Sequence, residues 1–455
     1  MLRNVLSERG SGSASCVQPP RQASPFSDPA FRPAPALRFL FSTAGRHPVS
    51  SSSAPQGTPS AADPFAEDFG VFTEPVLALA NTLAASAAER DRAGGTALAE
   101  RALLRRSGLL TLAIPAAHGG QQAAWPLIFR ILRRLAQADS SLAHLFGFQH
   151  LQVASVLLFG SEAQQARFLG EAVEKRWFWG NAVNARDTRL QAARTDDGIE
   201  IDGVKGFCSG APDSDVLNVS VVLGPEPTDR LFAVVPTSRA GITVLGDWDN
   251  MGQRQTDSGN VEFRRVRIAH DEILGPPGVA SSPRATLRNL IGQIVLTEIY
   301  LGNAFGALRA AIEHLRAHTK PWPMAGVERA EDDRLLQLRA GEMWSALQAA
   351  TALSNQTNER FQQAWEQGFA LTADSRGALA IDVAAARTQA ARTALHVTSQ
   401  IFELVGARGT ASKHNLDRYW RNVRVHTLHD PLDYRHQGIG AWLLAGDVPN
   451  PYGYG

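Results

Sequence analysis

The spacing of apolar residues changes period twice along this chain, and that double change limits the fold more than any single motif. From Asp63 onward apolar residues recur every three to four positions. In Trp125–Ala138, for instance, Leu127, Ile128, Ile131, Leu132 and Leu135 share one helical face while Arg130, Arg133 and Arg134 fall elsewhere. Ala113-Ile114-Pro115, followed by Gly119-Gly120, reads as a loop between two helices, and helices extend to about Trp177. The period then becomes two. Leu217-Asn218-Val219-Ser220-Val221 alternates as a half-buried strand does, Ile199-Glu200-Ile201-Asp202 ends at Gly203, and Val261-Glu262-Phe263 alternates again. Gly, Pro and Asp punctuate these short runs, which predicts an antiparallel sheet or barrel over about residues 180–275. From Pro283 to Val405 long alanine-rich helical blocks return, enough for a bundle of about four helices. The expected class is α+β, mainly α. It comprises an N-terminal helical domain over 63–178, a central β-domain over 179–278 and a C-terminal helical bundle over 279–455.

Residues 1–62 differ from the rest. They are rich in Ser, Pro, Ala and Arg, with Glu8 and Asp28 the only acids, and cannot bury enough apolar surface to offset the entropy of ordering. A disordered tail, a start placed too far upstream and an organelle transit peptide all fit this composition. The expected location is cytoplasmic, or mitochondrial if the tail is a transit peptide. The remaining totals exclude several classes. A formal net charge of +1 creates no field to gather nucleic acid. No uninterrupted apolar run reaches the ~18 residues of a membrane span. Two cysteines, Cys16 and Cys208, cannot form a disulfide framework.

Four local patterns, in order, make the resemblance specific. They are Ser107-Gly108-Leu109 through Ile114-Pro115 to Gly119-Gly120, and Ile201-Asp202-Gly203 through Lys205-Gly206-Phe207 to Ser209-Gly210. Then come Met251-Gly252-Gln253-Arg254 through Phe263 to Val266-Arg267, and Leu404-Val405-Gly406 through Asp417-Arg418 to Arg421-Asn422. Together they resemble the acyl-CoA dehydrogenase superfamily over about residues 65–445. The resemblance implies an α-domain, a central β-barrel domain and a C-terminal four-helix bundle, with flavin where they meet. The dehydrogenases carry a catalytic glutamate near the C-terminal end to remove the proton α to a thioester. Here that region reads His426-Thr427-Leu428-His429-Asp430-Pro431. With Arg421-Asn422-Val423-Arg424, Gly252-Gln253-Arg254-Gln255 and His318-Thr319-Lys320-Pro321-Trp322, it resembles the dibenzothiophene monooxygenase branch and its sulfur-acquisition relatives. That branch takes FMN as FMNH2 from a separate flavin reductase. It uses O2 to insert oxygen into a small organosulfur or related molecule through a flavin C4a-hydroperoxide. The alternative is an FAD-dependent acyl-CoA dehydrogenase whose base has moved.

The resemblance also assigns roles. It places His429 and His144 beside the flavin ring, where an imidazole with an ordinary pKa near ~6.5 can exchange protons in a dry site. Asn181 and Ser209 stand where the family contacts the isoalloxazine, and Asn offers both a donor and an acceptor to its edge. Ser209 is expected to donate to N5 or O4, and Ser258 to approach the phosphate or the substrate. Lys320 and Arg408 are the phosphate candidates, Arg408 reaching the flavin of a neighbouring subunit in a homotetramer. Lys320 replaces a frequent arginine, a point charge in place of a bidentate fork. Phe148, four residues after His144, shares its helical face and stands where the branch often has tyrosine. His426 lines the pocket or orients the segment. For Phe148, His144, Ser209 and Ser258 the alternative roles are ordinary core and turn residues, and for Lys320 and Arg408 solvated surface charge. His426, His429 and Asp430 also have a spacing a divalent ion uses on a helix. Pro431 disfavours that geometry, so no metal is expected.

Overall fold

A computed structural model describes residues 63–452 except Ala185, Pro225, Pro227, Thr228 and Pro277. The tail of residues 1–62, with all three readings of it, lies outside the described residues. From Phe65 onward the chain forms one unit.

The first helical layer holds α1 (Thr73–Ala93), α2 (Leu98–Arg106), α3 (Trp125–Ala138), α4 (Ser140–Phe159) and α5 (Glu162–Glu174). A single extended residue, Asp139, separates α3 from α4. Its carboxylate accepts from the Ser141 and Leu142 amides at 2.9 and 3.1 Å, capping α4 where two backbone donors would otherwise be orphaned. Helix α5 opens on a reciprocal capping box of Ser161 and Gln164. Helix α4 is apolar nearly all round, which is tolerable only for a helix enclosed by other elements, and here it packs on α3, α6 and β1. The second half of α3 is buried all round as well. Arg133, expected away from the core face, is 3% exposed, with its Nε 3.4 Å from the Glu298 carboxylate.

The central domain forms from two sheets that share one apolar core. One contains β1 (Trp179–Ala182), β4 (Val216–Val222) and β5 (Arg230–Pro236), in the order β1-β4-β5. The other contains β2 (Gln191–Thr195), β3 (Gly198–Lys205), β6 (Ile242–Val244) and β7 (Val261–Ala269), in the order β2-β3-β7-β6. All pairings are antiparallel except β1 with β4, which is parallel and aligns Asn181 with Asn218. Strand β4 is buried on both faces, not one. Leu217, Val219 and Val221 enter the core between the sheets, while Val216 joins the core of the helical layer. Strand β3 does not end at Gly203 but passes through it in a bulge. The residue has φ +124°, and a Cβ there would lie 2.2 Å from the Arg189 carbonyl oxygen.

The last part contains three long helices, α6 (Leu287–His318), α7 (Arg334–Glu366) and α8 (Ala373–Val405), completed by the shorter α9 (Asp417–Thr427) and α10 (Leu432–Ala445). Three helical stretches, Gly70–Ala93, Ser140–Phe159 and Leu287–His318, are long and apolar enough by composition to cross a bilayer, although interspersed polar residues hide this from a search for unbroken runs. In α4 and α6, 94% of the most apolar window is buried within the fold, so their apolarity is used internally.

Candidate functional site

Three histidines distant in sequence converge where α4 meets the end of α9. His144 on α4 is buried, its ring stacks on Phe148 with centroids 4.0 Å apart and planes at 21°, and it faces His426 at 5.0 Å. The Phe148 contact follows from the unbroken helix, which brings residues four apart onto one face. His426 lies in the last turn of α9, and its carbonyl accepts from the buried Tyr300 hydroxyl at 3.0 Å. Burial, aided by the charge of His429, pushes the His144 pKa down to about 3. Burial also takes His426 well below the usual imidazole range, with His144, His429 and Arg387 adding to it. Both rings are therefore neutral at pH 7. Both nitrogens of His144 and Nδ1 of His426 lack partners among the described residues.

The ring set directly against His144 is that of His426, the residue expected to line the pocket or orient the segment. Helix α9 stops at Thr427, so the helical spacing does not continue to His429, whose side chain is 40% exposed. Its Nδ1 lies 3.2 Å from the Asp430 carboxylate, which orients the imidazole. Asp430 in turn takes a hydrogen bond from Arg435 Nε on α10 at 2.8 Å and another from Arg387 on α8, which is fully buried. Burial alone would raise the Asp430 pKa, but His429, Arg387 and Arg435 together outweigh it and hold the carboxyl far below its usual range. Asp430 is thus an anchor. No trio of His, Cys, Asp or Glu among the described residues is placed to hold a metal ion.

The second group lies along the β-domain. Asn181, Ser209 and Ser258 are all buried and connected. The Asn181 backbone N–H donates to Ser209 O at 3.0 Å and its side-chain amide to Phe207 O at 3.2 Å. Ser209 Oγ and Ser258 Oγ are 2.8 Å apart, Ser258 donates to Thr256 Oγ1 at 2.8 Å, and Thr256 donates to Gln253 O at 2.9 Å. Each hydroxyl has one hydrogen, so this order obliges Ser209 to donate to Ser258. Ser209 is left with lone pairs, contrary to its expected role as a donor. The loop 251–260 holds the domains together here. Gln253 N donates to Asn422 Oδ1 at 2.7 Å, Gln253 Nε2 to Ser140 Oγ at 3.1 Å, and Arg90 to Gln255 Oε1 at 2.7 Å. Gly252 is packed so tightly on α9 that a Cβ would lie 2.4 Å from Arg421 O.

Helix α4 joins the two groups. His144, Phe148 and Gln152 lie at i, i+4 and i+8 on one face, about 12 Å from end to end at 1.5 Å per residue. Gln152 Nε2 donates to Asn181 Oδ1 at 2.9 Å. Sequence reasoning missed Gln152, Arg387, Arg435 and Arg288, which lies on α6 beside Gln152. Nothing local distinguishes a buried arginine or glutamine from a surface one.

Lys320 and Arg408 are exposed and make no described bond to either group. Lys320 follows α6, and Arg408 sits in the short turn Ala407–Thr410 after α8. The end of α6 carries an imidazole cluster: His314 is 5.0 Å from His318 and 4.5 Å from His414, centroid to centroid. It too went unseen in the sequence, because His414 lies far along the chain from the other two.

Family models for the acyl-CoA dehydrogenase N-terminal, middle and C-terminal domains match residues 75–176, 180–266 and 294–434. The chain is 42% identical over 384 residues to a Pseudomonas putida protein named "Probable FMNH2-dependent monooxygenase SfnC", covering 84% of this chain and 97% of that one. The methanesulfinate monooxygenase MsuC of Pseudomonas fluorescens superposes with a TM-score of 0.81 at 40% identity, covering 85% of this chain and all of that one. The FMN-bound dibenzothiophene monooxygenase TdsC of Paenibacillus sp. A11-2 does so at 0.80 and 41%, covering 84% and 99%. The chain belongs to the acyl-CoA dehydrogenase family, in the branch that holds these flavin-dependent monooxygenases.

Proposed function

We propose that this chain is the oxygenase of a two-component system, an FMNH2-dependent monooxygenase that inserts one atom of O2 into a small organosulfur compound. The observation that carries this reading is the pair of dry, neutral imidazoles, His144 and His426, with His429 held by Asp430, where a dehydrogenase needs a free carboxylate. Asp430 cannot act as that base. Two arginines engage it, and a carboxyl held so far below its usual range is a poor proton acceptor. The FMN-binding relative, the FMNH2-dependent relative, and those acting on methanesulfinate or dibenzothiophene support both cofactor and substrate class.

The residues present fit a flavin. Asn181 and Ser209 supply a donor and an acceptor side by side, and the partnerless His144 and His426 nitrogens supply neutral hydrogen-bonding groups in a site that excludes water. Reduced FMN, when bound, supplies the activation of O2. The protein's own part is to hold the ring edge with Asn181 and Ser209, to keep bulk water from His144 through Phe148, and to move a proton at the His429 imidazole, whose Nδ1 is fixed by Asp430. Lys320 and Arg408, with the histidines beside them, would grip the phosphate of a neighbouring copy's flavin in a homotetramer. A separate flavin reductase would supply FMNH2.

The test supplies chemically reduced FMN and labelled O2 with a panel of small sulfides and sulfinates. Label is expected in the oxidised sulfur product. Thioester desaturation without label, or rapid NAD(P)H oxidation by this chain alone, would refute the reading.

A further inference from the structure

Two buried hydrogen-bonded chains meet at the loop Phe207–Ser209, and each can run in only one direction. The first begins at Arg288, which is 8% exposed. A guanidinium has no acceptor, so the Gln152 atom 3.2 Å from its Nη2 is the oxygen Oε1. Gln152 Nε2 therefore faces Asn181, and the Asn181 atom it meets at 2.9 Å is Oδ1. The Asn181 nitrogen then donates to the Phe207 carbonyl, which can only accept. A donor-only group at one end and an acceptor-only group at the other agree, so neither amide in between can be turned round. Asn181 retains one N–H beyond this chain. The second chain is the hydroxyl sequence Ser209, Ser258, Thr256 and Gln253 O, which leaves Ser209 with lone pairs only.

Arg288 also lacks a counter-charge. Its remaining described contacts are Ser155 Oγ at 2.5 Å and the Phe232 ring at 5.2 Å, and no carboxylate among the described residues pairs with it. Burial lowers its pKa to about 9, with Arg230 adding to the effect. A buried cation without an anion is costly, and it polarises the amides hydrogen-bonded to it toward donating at their far end. Reduced flavin differs from oxidised flavin in two matching respects. Its N5 carries a hydrogen, and its N1–C2=O side carries negative charge near neutral pH.

We propose that Arg288, a positioning residue acting through Gln152 and Asn181, combines with the lone-pair-only Ser209 to make this site select reduced over oxidised FMN. The inference rests on the flavin placement proposed above. Ser209 accepts from N5–H, which oxidised flavin lacks, and the Asn181 donor backed by the Arg288 charge favours the anionic ring.

The experiment is an anaerobic titration of the assembled protein with FMN and with chemically reduced FMN, comparing native chain, Arg288→Met, Arg288→Lys and Ser258→Ala. Native protein is expected to bind the reduced form at least about tenfold more tightly, and Arg288→Met to lose about tenfold of that ratio. Arg288→Lys should recover most of it. Ser258→Ala frees the Ser209 hydrogen and should tighten oxidised FMN a few fold, narrowing the ratio from the other side. If both dissociation constants rise together in Arg288→Met, Arg288 is merely structural and the proposal fails. Should Arg288→Met not fold, an unchanged ratio in Ser258→Ala overturns it. If the native chain binds neither redox state, the functional reading falls with it.

Discussion

Replacing Asp430 with asparagine isolates the anchor that orients His429. The carboxylate is 5% exposed and faces Arg387, whose side chain is fully buried, and Arg435, which is 9% exposed. Removing one partner of such a cluster leaves buried charge uncompensated, which typically costs ~3–5 kcal/mol. Asparagine keeps the shape and one acceptor, so the low end, about 3 kcal/mol, applies. The loss is local, because Asp430 pins the turn between α9 and α10 to α8. At ~1.4 kcal/mol per decade it should raise amide exchange in the α9 and α10 peptides about 10²-fold while β3, β4 and β7 stay unchanged. Hydrogen–deuterium exchange read by mass spectrometry measures this directly. Acceleration below about threefold, or equal acceleration in the β-domain, would refute the reasoning. The pH dependence has a definite sign. A carboxyl whose folded pKa is depressed contributes fully above the unfolded value near ~3.9, and its contribution drains as pH falls from there toward the folded value. The native protein should therefore begin to show the same local opening only below about pH 4.

His429→Ala should lower coupled oxygenation by ~10²-fold while flavin binding survives, with reduced flavin consumed as peroxide; undiminished product per flavin removes His429 from the proton path. The His144 pKa near 3 predicts that its ring resonances do not titrate between pH 5 and 8 by NMR, and that its contribution to stability, full above about pH 6.5, declines as pH falls from there toward 3. Phe148→Ala admits water to that ring and should move its titration upward toward ~6.5; an unmoved curve would show that Phe148 does not keep it dry. Gly252→Ala places a Cβ 2.4 Å from Arg421 O and should cost ~1–3 kcal/mol through overpacking, lowering the melting temperature and weakening flavin retention. An unchanged melt would mean that the loop 251–260 is not clamped to α9.

The parts of this fold legible in the sequence are those specified by near neighbours. Helix α3 spans Trp125–Ala138 as its periodicity implies, and the stacking of Phe148 on His144 follows from a spacing of four on an unbroken helix. The parallel pairing of β1 with β4 was not legible, because Trp179-Gly180-Asn181-Ala182 is buried throughout and carries no alternation to set its face or direction. The buried arginines escaped for a different reason. Arg133, Arg288 and Arg387 are locally indistinguishable from solvated ones, and what makes each tolerable lies far along the chain: Asp430 is 43 residues from Arg387, and Gln152 is 136 from Arg288. The same distance explains why the segment His426–Pro431 signals its branch of the family without revealing its geometry. Its two histidines invite a role for each, but whether Asp430 is a base, a metal ligand or an anchor depends on Arg387 and Arg435, one on α8 and one on α10. With both guanidiniums on it, the carboxylate is unavailable for taking a proton from carbon, and the chemistry at this end of α9 passes to imidazoles that burial keeps neutral.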